Sequence, residues 1–266
     1  MFEGLEKIGY LNYLKKYPFH NELGINLSDY VKSGRVEHKR IKSPLESVDF
    51  DETNPLQAEL DDLIRLHFLI RSRKVTTALE FGVGYSTKVI DHALSLNKKE
   101  HSKFVKKNLR KINAFECHSV DNYKKWIKKT KNKYKLENTF FYYSKCITTT
   151  FNGKICTMYS SLPNICPDFI YLDAPDQFGS LGNVRGISTR HIERMPMSAD
   201  ILAIEHFLLP GTLIVVDGRT ANARFLKTNF QRNWDYKYFK EFDQHFFELN
   251  ENPLGIWNDR QIKFSR

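Results

Sequence analysis

Short apolar runs alternate along most of the chain with longer stretches in which apolar residues recur every three or four positions. The short runs are rich in β-branched and aromatic residues and are bounded by Gly, Asp or Pro, which predicts strands that end in turns. The predicted strands are residues 75–82, 112–121, 139–146, 168–175 and 211–218. The predicted helices are residues 55–73, 86–96, 123–134 and 198–209.

This alternation predicts an α/β fold. Strands that alternate with helices form βαβ units, and these build a mostly parallel sheet that is covered by helices on both faces. Two late runs, residues 236–242 and 245–250, predict two further strands. Ligands of such sheets bind at the carboxyl ends of the strands, so the residues that end strands are the candidates for chemistry.

The first 54 residues lack the alternation and carry several turn signals, which predicts a short helical and irregular appendage. The helix over residues 55–73 has Pro55 at its first position, and Thr53 or Asn54 can cap it. We therefore expect an N-terminal appendage of residues 1–54 and a main domain of residues 55–266.

The composition excludes several classes of protein. Of the 266 residues, 41% are apolar and 14% aromatic, too many for a mainly disordered chain. No run approaches the roughly 20 apolar residues of a membrane-spanning helix, and Glu3 and Glu6 interrupt the start of the chain, unlike a secretory signal. We expect a cytoplasmic protein without a membrane span. Its cysteines show no metal-binding spacing and are predicted to be buried thiols: Cys117, Cys146, Cys156 and Cys166.

The formal net charge of +10 is concentrated in one stretch. Residues 98–135 hold fourteen Lys and Arg but three Asp and Glu, so the rest of the chain is close to neutral. Such a basic face can dock a nucleic acid, an acidic glycan or a membrane surface. We favour the alternative of two solvated helices, because lysine dominates over arginine and aromatic residues are sparse, unlike a base-reading surface.

A glycine-rich turn follows the first strand of the main domain, in the segment "LEFGVGYST". Thr87 stands where a dinucleotide fingerprint would have its third glycine, and Glu80 lies where its carboxylate would repel a diphosphate. Two like charges ~4 Å apart, such as this carboxylate and a phosphate, repel each other by about 4 kcal/mol at an effective dielectric near 20. A cation fits better, and S-adenosylmethionine carries an ammonium and a sulfonium group but no phosphate. The predicted cofactor-binding residues of this turn are Glu80, Phe81, Gly82, Gly84, Ser86 and Thr87.

The second strand ends in Asp121 and Asn122. An acid at this place can accept hydrogen bonds from both ribose hydroxyls of an adenosine moiety. The 37 residues from Gly84 to Asp121 exceed the usual spacing of about 20, and we attribute the excess to an inserted helix over residues 97–111.

Two further acids end the fourth and fifth strands. Asp173 closes an apolar run before Pro175, and Asp217 is followed by Gly218. We expect the two carboxylates to lie on neighbouring strand ends, where they could hold a divalent metal or flank a substrate hydroxyl.

Together these motifs resemble the class I S-adenosylmethionine-dependent methyltransferases, over residues 56–250. The phrase "DFIYLDAP" is similar to the "D-x-I-x-I-D-G-P" pattern of small-molecule and sugar O-methyltransferases, with Ala174 in place of glycine. The resemblance implies a Rossmann-like, doubly wound, seven-stranded sheet with an antiparallel C-terminal edge. It implies that Glu80 and residues 82–87 hold the methionine part of the cofactor and Asp121 the ribose. It assigns no residue to the adenine.

The resemblance leaves the metal question open. Metal-dependent relatives have an Asp-Asn pair at the fifth strand end, whereas here Gly218 follows Asp217. We therefore predict no metal site, with Asp173 and Asp217 as the alternative ligands if a metal binds.

We predict O-methylation of a small-molecule or glycan hydroxyl. Asp121 and Asp173 are predicted to bind the cofactor, and Asp173 is also the first candidate for the base. His191 is the second candidate for the base, and His245 a weaker one. Arg185, Arg190 and Arg219 could bind an acidic acceptor. Three alternatives stay open: an RNA methyltransferase that uses the basic 98–135 face, a non-catalytic partner protein that keeps the cofactor fold, and a nicotinamide-dependent dehydrogenase, which Glu80 and Thr87 disfavour.

Overall fold

The structure, a computed structural model, describes residues 1–38 and 59–266. The strands of these ranges are β1 (Val31–Lys32), β2 (Arg35–Val36), β3 (Thr77–Phe81), β4 (Glu116–Asp121), β5 (Thr139–Tyr143), β6 (Cys146–Phe151), β7 (Lys154–Tyr159), β8 (Phe169–Leu172), β9 (Leu213–Asp217), β10 (Trp234–Phe239) and β11 (Gln244–Leu249). The α-helices are α1 (Glu3–Ile8), α2 (Tyr10–Lys16), α3 (Phe19–Leu23), α4 (Leu60–Ser72), α5 (Tyr85–Asn108), α6 (Lys124–Lys133), α7 (Asp200–Ile204), α8 (Thr220–Asn229) and α9 (Ile256–Ser265).

Seven strands form the main sheet, in the spatial order β10-β11-β9-β8-β3-β4-β5. The five strands from β9 to β5 are parallel to their neighbours, whereas β11 pairs antiparallel with both β9 and β10. The predicted Rossmann-like, doubly wound α/β fold with an antiparallel C-terminal edge is thus confirmed. Because β3, β4, β8 and β9 run in one direction, their carboxyl ends meet at one edge of the sheet, called here the carboxyl edge.

Helices cover both faces of the sheet, which explains why the central strands are continuous apolar runs rather than alternating ones. All residues of β3 and β8 are buried. One face packs Ala78 and Phe169 against α4 and α5, and the other packs Leu79 and Ile170 against α7, α8 and the β6–β7 hairpin.

The N-terminal helices belong to the first of these two cores. Phe2, Leu5 and Tyr13 are buried in the same cluster as residues of α4 and of the sheet. The Tyr13 hydroxyl lies 2.8 Å from Nδ1 of His67, whose side chain is fully buried. The division of the chain at residue 54 stays a prediction, and both this boundary and the capping residues Thr53 and Asn54 lie outside the described residues.

Several predicted elements differ from the structure. The helix over 86–96 and the inserted helix over 97–111 are one element, α5, because the lysine-rich second half contains no Gly or Pro that would end it. The β6–β7 hairpin lies between β5 and β8 and was not predicted, nor were α8 and α9. The hairpin forms its own two-stranded sheet.

The basic stretch over 98–135 forms two separate surfaces, one on α5 and one on α6. Helix α5 starts at the carboxyl edge, and its 24 residues extend about 36 Å, so its lysine-rich second half points to the opposite end of the sheet. Helix α6 follows Asp121 at the carboxyl edge itself and is a separate basic surface. In the described ranges no helix is both long enough and apolar enough to cross a membrane.

Three of the four cysteines are buried as predicted, and all four are free. The prediction is wrong for Cys166, which is exposed because it lies in the loop that enters β8 rather than in a strand.

Asp168 should be a major stabilising residue at the opposite end of the sheet. Its carboxylate accepts hydrogen bonds from the backbone N–H groups of Thr76 and Thr77, and from the Gln261 side chain of α9. Replacing Asp168 by Ala leaves these donors without a charged acceptor, so we expect the free energy of unfolding to fall by about 3 kcal/mol in urea denaturation. The control Asp259→Ala, in an exposed ion pair with Lys263, should change it by less than about 0.5 kcal/mol. Equal effects of the two variants would contradict this role.

Candidate active site

Glu80 is a fully buried carboxylate at the carboxyl end of β3. One oxygen accepts a hydrogen bond from Ser86 Oγ at 2.6 Å, and the other accepts from Thr87 Oγ1 at 2.8 Å and Ser119 Oγ at 2.5 Å. Ser86 and Thr87 lie in the first turn of α5, and Ser119 is the neighbour of Glu80 across the β3–β4 pair. The carboxylate therefore joins β3, β4 and α5 at one point.

The two glycines of the turn have different surroundings. Gly82 has φ +105°, and a Cβ there would lie 3.2 Å from the Ala174 side chain, so the turn needs glycine for conformation and for the close approach of the β8 end. Gly84 is extended, its N–H donates to Thr87 Oγ1 at 3.0 Å, and a Cβ there would meet open space. No contact within the described structure requires glycine at this position, so the backbone of Gly84 is open to close approach from outside.

The electrostatic role predicted for Glu80 needs a correction. Burial raises the pKa of Glu80 to about 7, although hydrogen bonds from Ser119, Ser86 and Thr87 oppose the rise. A carboxyl group that is partly protonated near neutral pH discriminates less between a cation and a diphosphate than a full charge does. Its hydrogen bonds are also all directed at the protein, so Glu80 shapes the turn rather than facing open space.

Asp121 ends β4 beside the same turn and is 5% exposed. Its carboxylate accepts a 2.6 Å hydrogen bond from the backbone N–H of Tyr123. Burial raises the pKa of Asp121 to about 7, backbone N–H groups including that of Val83 lower it, and the charge of Asp176 raises it. The structure thus brings the predicted ribose acid against the glycine turn.

A strap formed by residues 176–179 crosses from the end of β8 to the end of β4. The Asn122 amide donates to the Gly179 carbonyl at 3.1 Å, and a Cβ on Gly179 would lie 2.4 Å from the Asn122 nitrogen. Asp176 Oδ1 accepts from the N–H groups of Phe178 and Gly179. Since β3 lies between β8 and β4 in the sheet, the strap links the two strand ends that flank β3.

Two polar groups to which the sequence analysis assigned no role in the site lie near Asp121. Tyr159 is buried at the end of the unpredicted hairpin, with its ring 5.8 Å from that of Phe81. Among the described residues, neither the Tyr159 hydroxyl nor Asp176 Oδ2 has a hydrogen-bond partner, although both atoms are buried. Such groups in a native protein call for a ligand or a water as partner. The only sequence signal for them was the position of Asp176 just after a strand end.

Asp173 and Asp217 lie on neighbouring strand ends, as predicted, because β8 and β9 pair in parallel at Leu172 and Val216. Asp217 is held by hydrogen bonds from the Tyr171 hydroxyl and from the Gln244 amide, the latter at 3.1 Å. Asp173 is more open, with 55% of its side chain exposed.

Arg219 fixes the end of β8. It donates to the carbonyl groups of Asp173 and Pro175, each at 2.6 Å, and its Nε lies 3.5 Å from the Asp173 carboxylate. Desolvation raises the pKa of Asp173, the charge of Arg219 lowers it and the charge of Asp217 raises it. Arg219 is committed to these contacts, so it does not serve as the free acceptor-binding residue that the sequence suggested.

The other predicted acceptor residues lie in the loop between β8 and α7. Arg185, Arg190 and His191 are exposed, and the backbone carbonyl of His191 accepts a 3.1 Å hydrogen bond from the side chain of Gln177, a residue of the strap. His191 Nδ1 accepts from the Glu193 N–H at 3.2 Å, so Nε2 is the nitrogen it can offer to a substrate. His245 is fully buried, and both its ring nitrogens have partners, which makes it structural.

Neither Asp173 nor Asp217 belongs to a group of three or more metal-ligating side chains in the described ranges. The single such group found there is His38, Asp61 and Asp62, at the start of α4. A metal on Asp173 and Asp217 stays an untested possibility.

The comparisons with known proteins are distant. Neither a protein-family model nor a curated protein matches the chain. Among solved structures it is similar to an SAH-bound methyltransferase from Podospora anserina, at 14% identity and a TM-score of 0.40 over 74% of this chain and 80% of that one. It is also similar to an O-methyltransferase from Streptomyces achromogenes in complex with SAM, at 12% identity and a TM-score of 0.40 over 74% of this chain and 82% of that one. For an O-methyltransferase from Bacillus cereus in complex with SAH, the identity is 12% and the TM-score 0.39, over 93% of this chain and 100% of that one. At these TM-scores the likenesses assign no function to this chain.

The raised pKa of Glu80 predicts a pH-dependent stability. The folded state binds the Glu80 proton more tightly than the unfolded state does, so this group's contribution is fully present below pH 4.5 and is lost as the pH rises through about 7. In urea unfolding, Glu80→Gln should gain stability relative to the wild type between pH 5 and pH 8. A difference between variant and wild type that is the same at both pH values would contradict the shift.

Proposed function

We propose that this protein is an S-adenosylmethionine-dependent methyltransferase that methylates a hydroxyl group of a small-molecule or glycan acceptor. The observation that carries the proposal is the conjunction, at one carboxyl edge, of a glycine turn with open space at Gly84 and the buried carboxylate of Asp121. The parallel sheet order and the antiparallel edge support it.

The residues present fit such a cofactor. Asp121 offers a buried carboxylate to the ribose hydroxyls, and Gly84 leaves the backbone open for close approach. The unpartnered Tyr159 hydroxyl and Asp176 Oδ2 supply a donor and an acceptor beside Asp121. Glu80, Ser86 and Thr87 hold the turn, with Phe81 buried behind it, and Asn122 anchors the strap. When bound, S-adenosylmethionine supplies the methyl group on a sulfonium centre.

The acceptor side of the proposal is centred on Asp173. Its exposed carboxylate can accept a hydrogen bond from an acceptor hydroxyl and take the proton that the hydroxyl loses. Arg219 positions Asp173 by donating a hydrogen bond to its backbone carbonyl. His191 is the second candidate for the base; because Nδ1 accepts from the Glu193 N–H, Nε2 carries the ring proton, so a base role requires that this hydrogen bond breaks first. Alignment of acceptor and donor is the largest expected contribution, up to about 7–11 kcal/mol in well-oriented cases.

A nucleic-acid acceptor is the second candidate function. It is favoured by one observation: the basic surface of α6 begins at the carboxyl edge, directly after Asp121 to Tyr123. Against it, exposed lysines alone carry no sequence information. A cytoplasmic location is part of the proposal, supported by four free cysteines.

Gly84→Ala tests the cofactor site without disturbing the fold. Because the backbone there is extended and the space around a Cβ is open, the variant should keep the wild-type melting temperature. A bound cofactor would meet the added methyl, so calorimetric titration should show S-adenosylmethionine binding weakened at least about tenfold, or 1.4 kcal/mol. Wild-type affinity in this variant would remove the glycine turn from the cofactor site.

The acceptor class can be read from the fate of the methyl group. Incubation with methyl-labelled S-adenosylmethionine and fractionated cell extract should place the label in small molecules or glycans, and Asp173→Asn should abolish transfer while it still binds the cofactor. Label that nuclease releases would identify RNA as the acceptor and overturn the proposed class. Undiminished transfer by Asp173→Asn would exclude Asp173 as the base.

A further inference from the structure

A second cluster of polar side chains lies at the start of α4, away from the glycine turn. His38, at the end of the N-terminal described range, places Nδ1 at 2.9 Å from Asp61 Oδ2 and at 3.9 Å from Glu59 Oε2. Ligand atoms of His38, Asp61 and Asp62 all lie within 4.8 Å of one another. This spacing allows one ion to contact all three side chains.

The cluster contains buried polar atoms that are not satisfied. Asp61 is 4% exposed, yet its Oδ1 has no hydrogen-bond partner among the residues that the structure describes. The same holds for Nε2 of His38 within those ranges. A buried carboxylate oxygen without a donor is unfavourable in an apolar setting, so it calls for a hydrogen-bond donor or a cation as partner.

Arg65 does not supply that partner for both oxygens. Its guanidinium binds Asp61 Oδ2 at 3.0 Å and also Asp62 Oδ1, and thereby uses one oxygen of each carboxylate. Asp61 Oδ1 is left without a hydrogen bond among the described residues, and a ligating carboxylate is commonly oriented by such an outer hydrogen bond.

The local charge is also unbalanced. Within the described residues, and with His38 neutral as a metal ligand must be, Glu59, Asp61 and Asp62 carry three negative charges when ionised and Arg65 carries one positive charge, which leaves two negative charges in a largely buried place. One divalent cation balances them. Exposed acidic clusters need no such ion, but the Asp61 and Asp62 side chains are 6% and 7% exposed.

We propose that His38, Asp61 and Asp62 form a binding site for one divalent transition-metal ion, with Arg65 orienting the two carboxylates. The nitrogen ligand favours Zn²⁺ or Mn²⁺ over Mg²⁺ and Ca²⁺, which prefer all-oxygen sites. The site joins the end of the N-terminal segment to α4. It also lies within electrostatic range of the acceptor side, since the charge of Glu59 acts on both Asp173 and Asp217.

This site is distinct from Asp173 and Asp217, and it is independent of the proposed methyl transfer. The test therefore needs no acceptor. The full-length protein is treated with a chelator, desalted and titrated with Zn²⁺, Mn²⁺ and Mg²⁺ in a calorimeter. We expect one equivalent of Zn²⁺ to bind, with a higher melting temperature in its presence and weaker binding of Mg²⁺.

His38→Ala should weaken Zn²⁺ binding by more than tenfold, since the loss of even an outer hydrogen bond to a ligand weakens metal affinity by about 10–100-fold. The matched control His206→Ala removes an exposed histidine from the 3-10 turn directly after α7. This variant should bind Zn²⁺ as the wild type does. His38→Gln keeps a hydrogen-bonding side chain of similar reach and serves if the alanine variant does not fold.

A spectroscopic measurement identifies the ligands without relying on any one variant. Co²⁺ added to the metal-free wild type should give visible absorption bands that Zn²⁺ displaces, and His38→Gln should change their position and intensity. Absence of stoichiometric binding in the wild type, or equal affinity in the wild type and both His38 variants, overturns the proposal.

Discussion

The structure of the carboxyl edge depends on one buried carboxylate. Glu80 receives hydrogen bonds from two hydroxyls of the first turn of α5 and from one hydroxyl of β4. These hydrogen bonds join three elements around the glycine turn. With the turn held in this way, Gly82 can pass close to the end of β8, and Gly84 can leave its backbone open. Asp121 is brought against the turn by the same β3–β4 pairing.

The two sides of the proposed active site follow from the strand order. The end of β4 and the glycine turn form the cofactor side, while the ends of β8 and β9 carry Asp173 and Asp217. The strap of residues 176–179 connects the two sides, because it starts at the Asp173 end and is held by Asn122.

Much of this arrangement could be predicted from the sequence, because it depends on local patterns. Buried parallel strands are continuous apolar runs, and the acids that end them mark the carboxyl edge; Glu80, Asp121, Asp173 and Asp217 were all placed there correctly. The partners of these acids could not be predicted. Ser119 pairs with Glu80 only through the register of β3 and β4, and Tyr159 reaches the site through a hairpin whose polar, threonine-rich strands resemble loop sequence. The same limit applies to charge: burial raises the pKa of Glu80 to about 7, and burial is a property of the whole fold.

The account depends most on the claim that the glycine turn and Asp121 receive a sulfonium cofactor rather than a dinucleotide. Calorimetric titration of the wild-type protein with S-adenosylmethionine and with NAD, under the same conditions, tests this directly. We expect saturable binding of S-adenosylmethionine at one molecule per chain and no measurable binding of NAD. Binding of NAD without binding of S-adenosylmethionine would contradict the account.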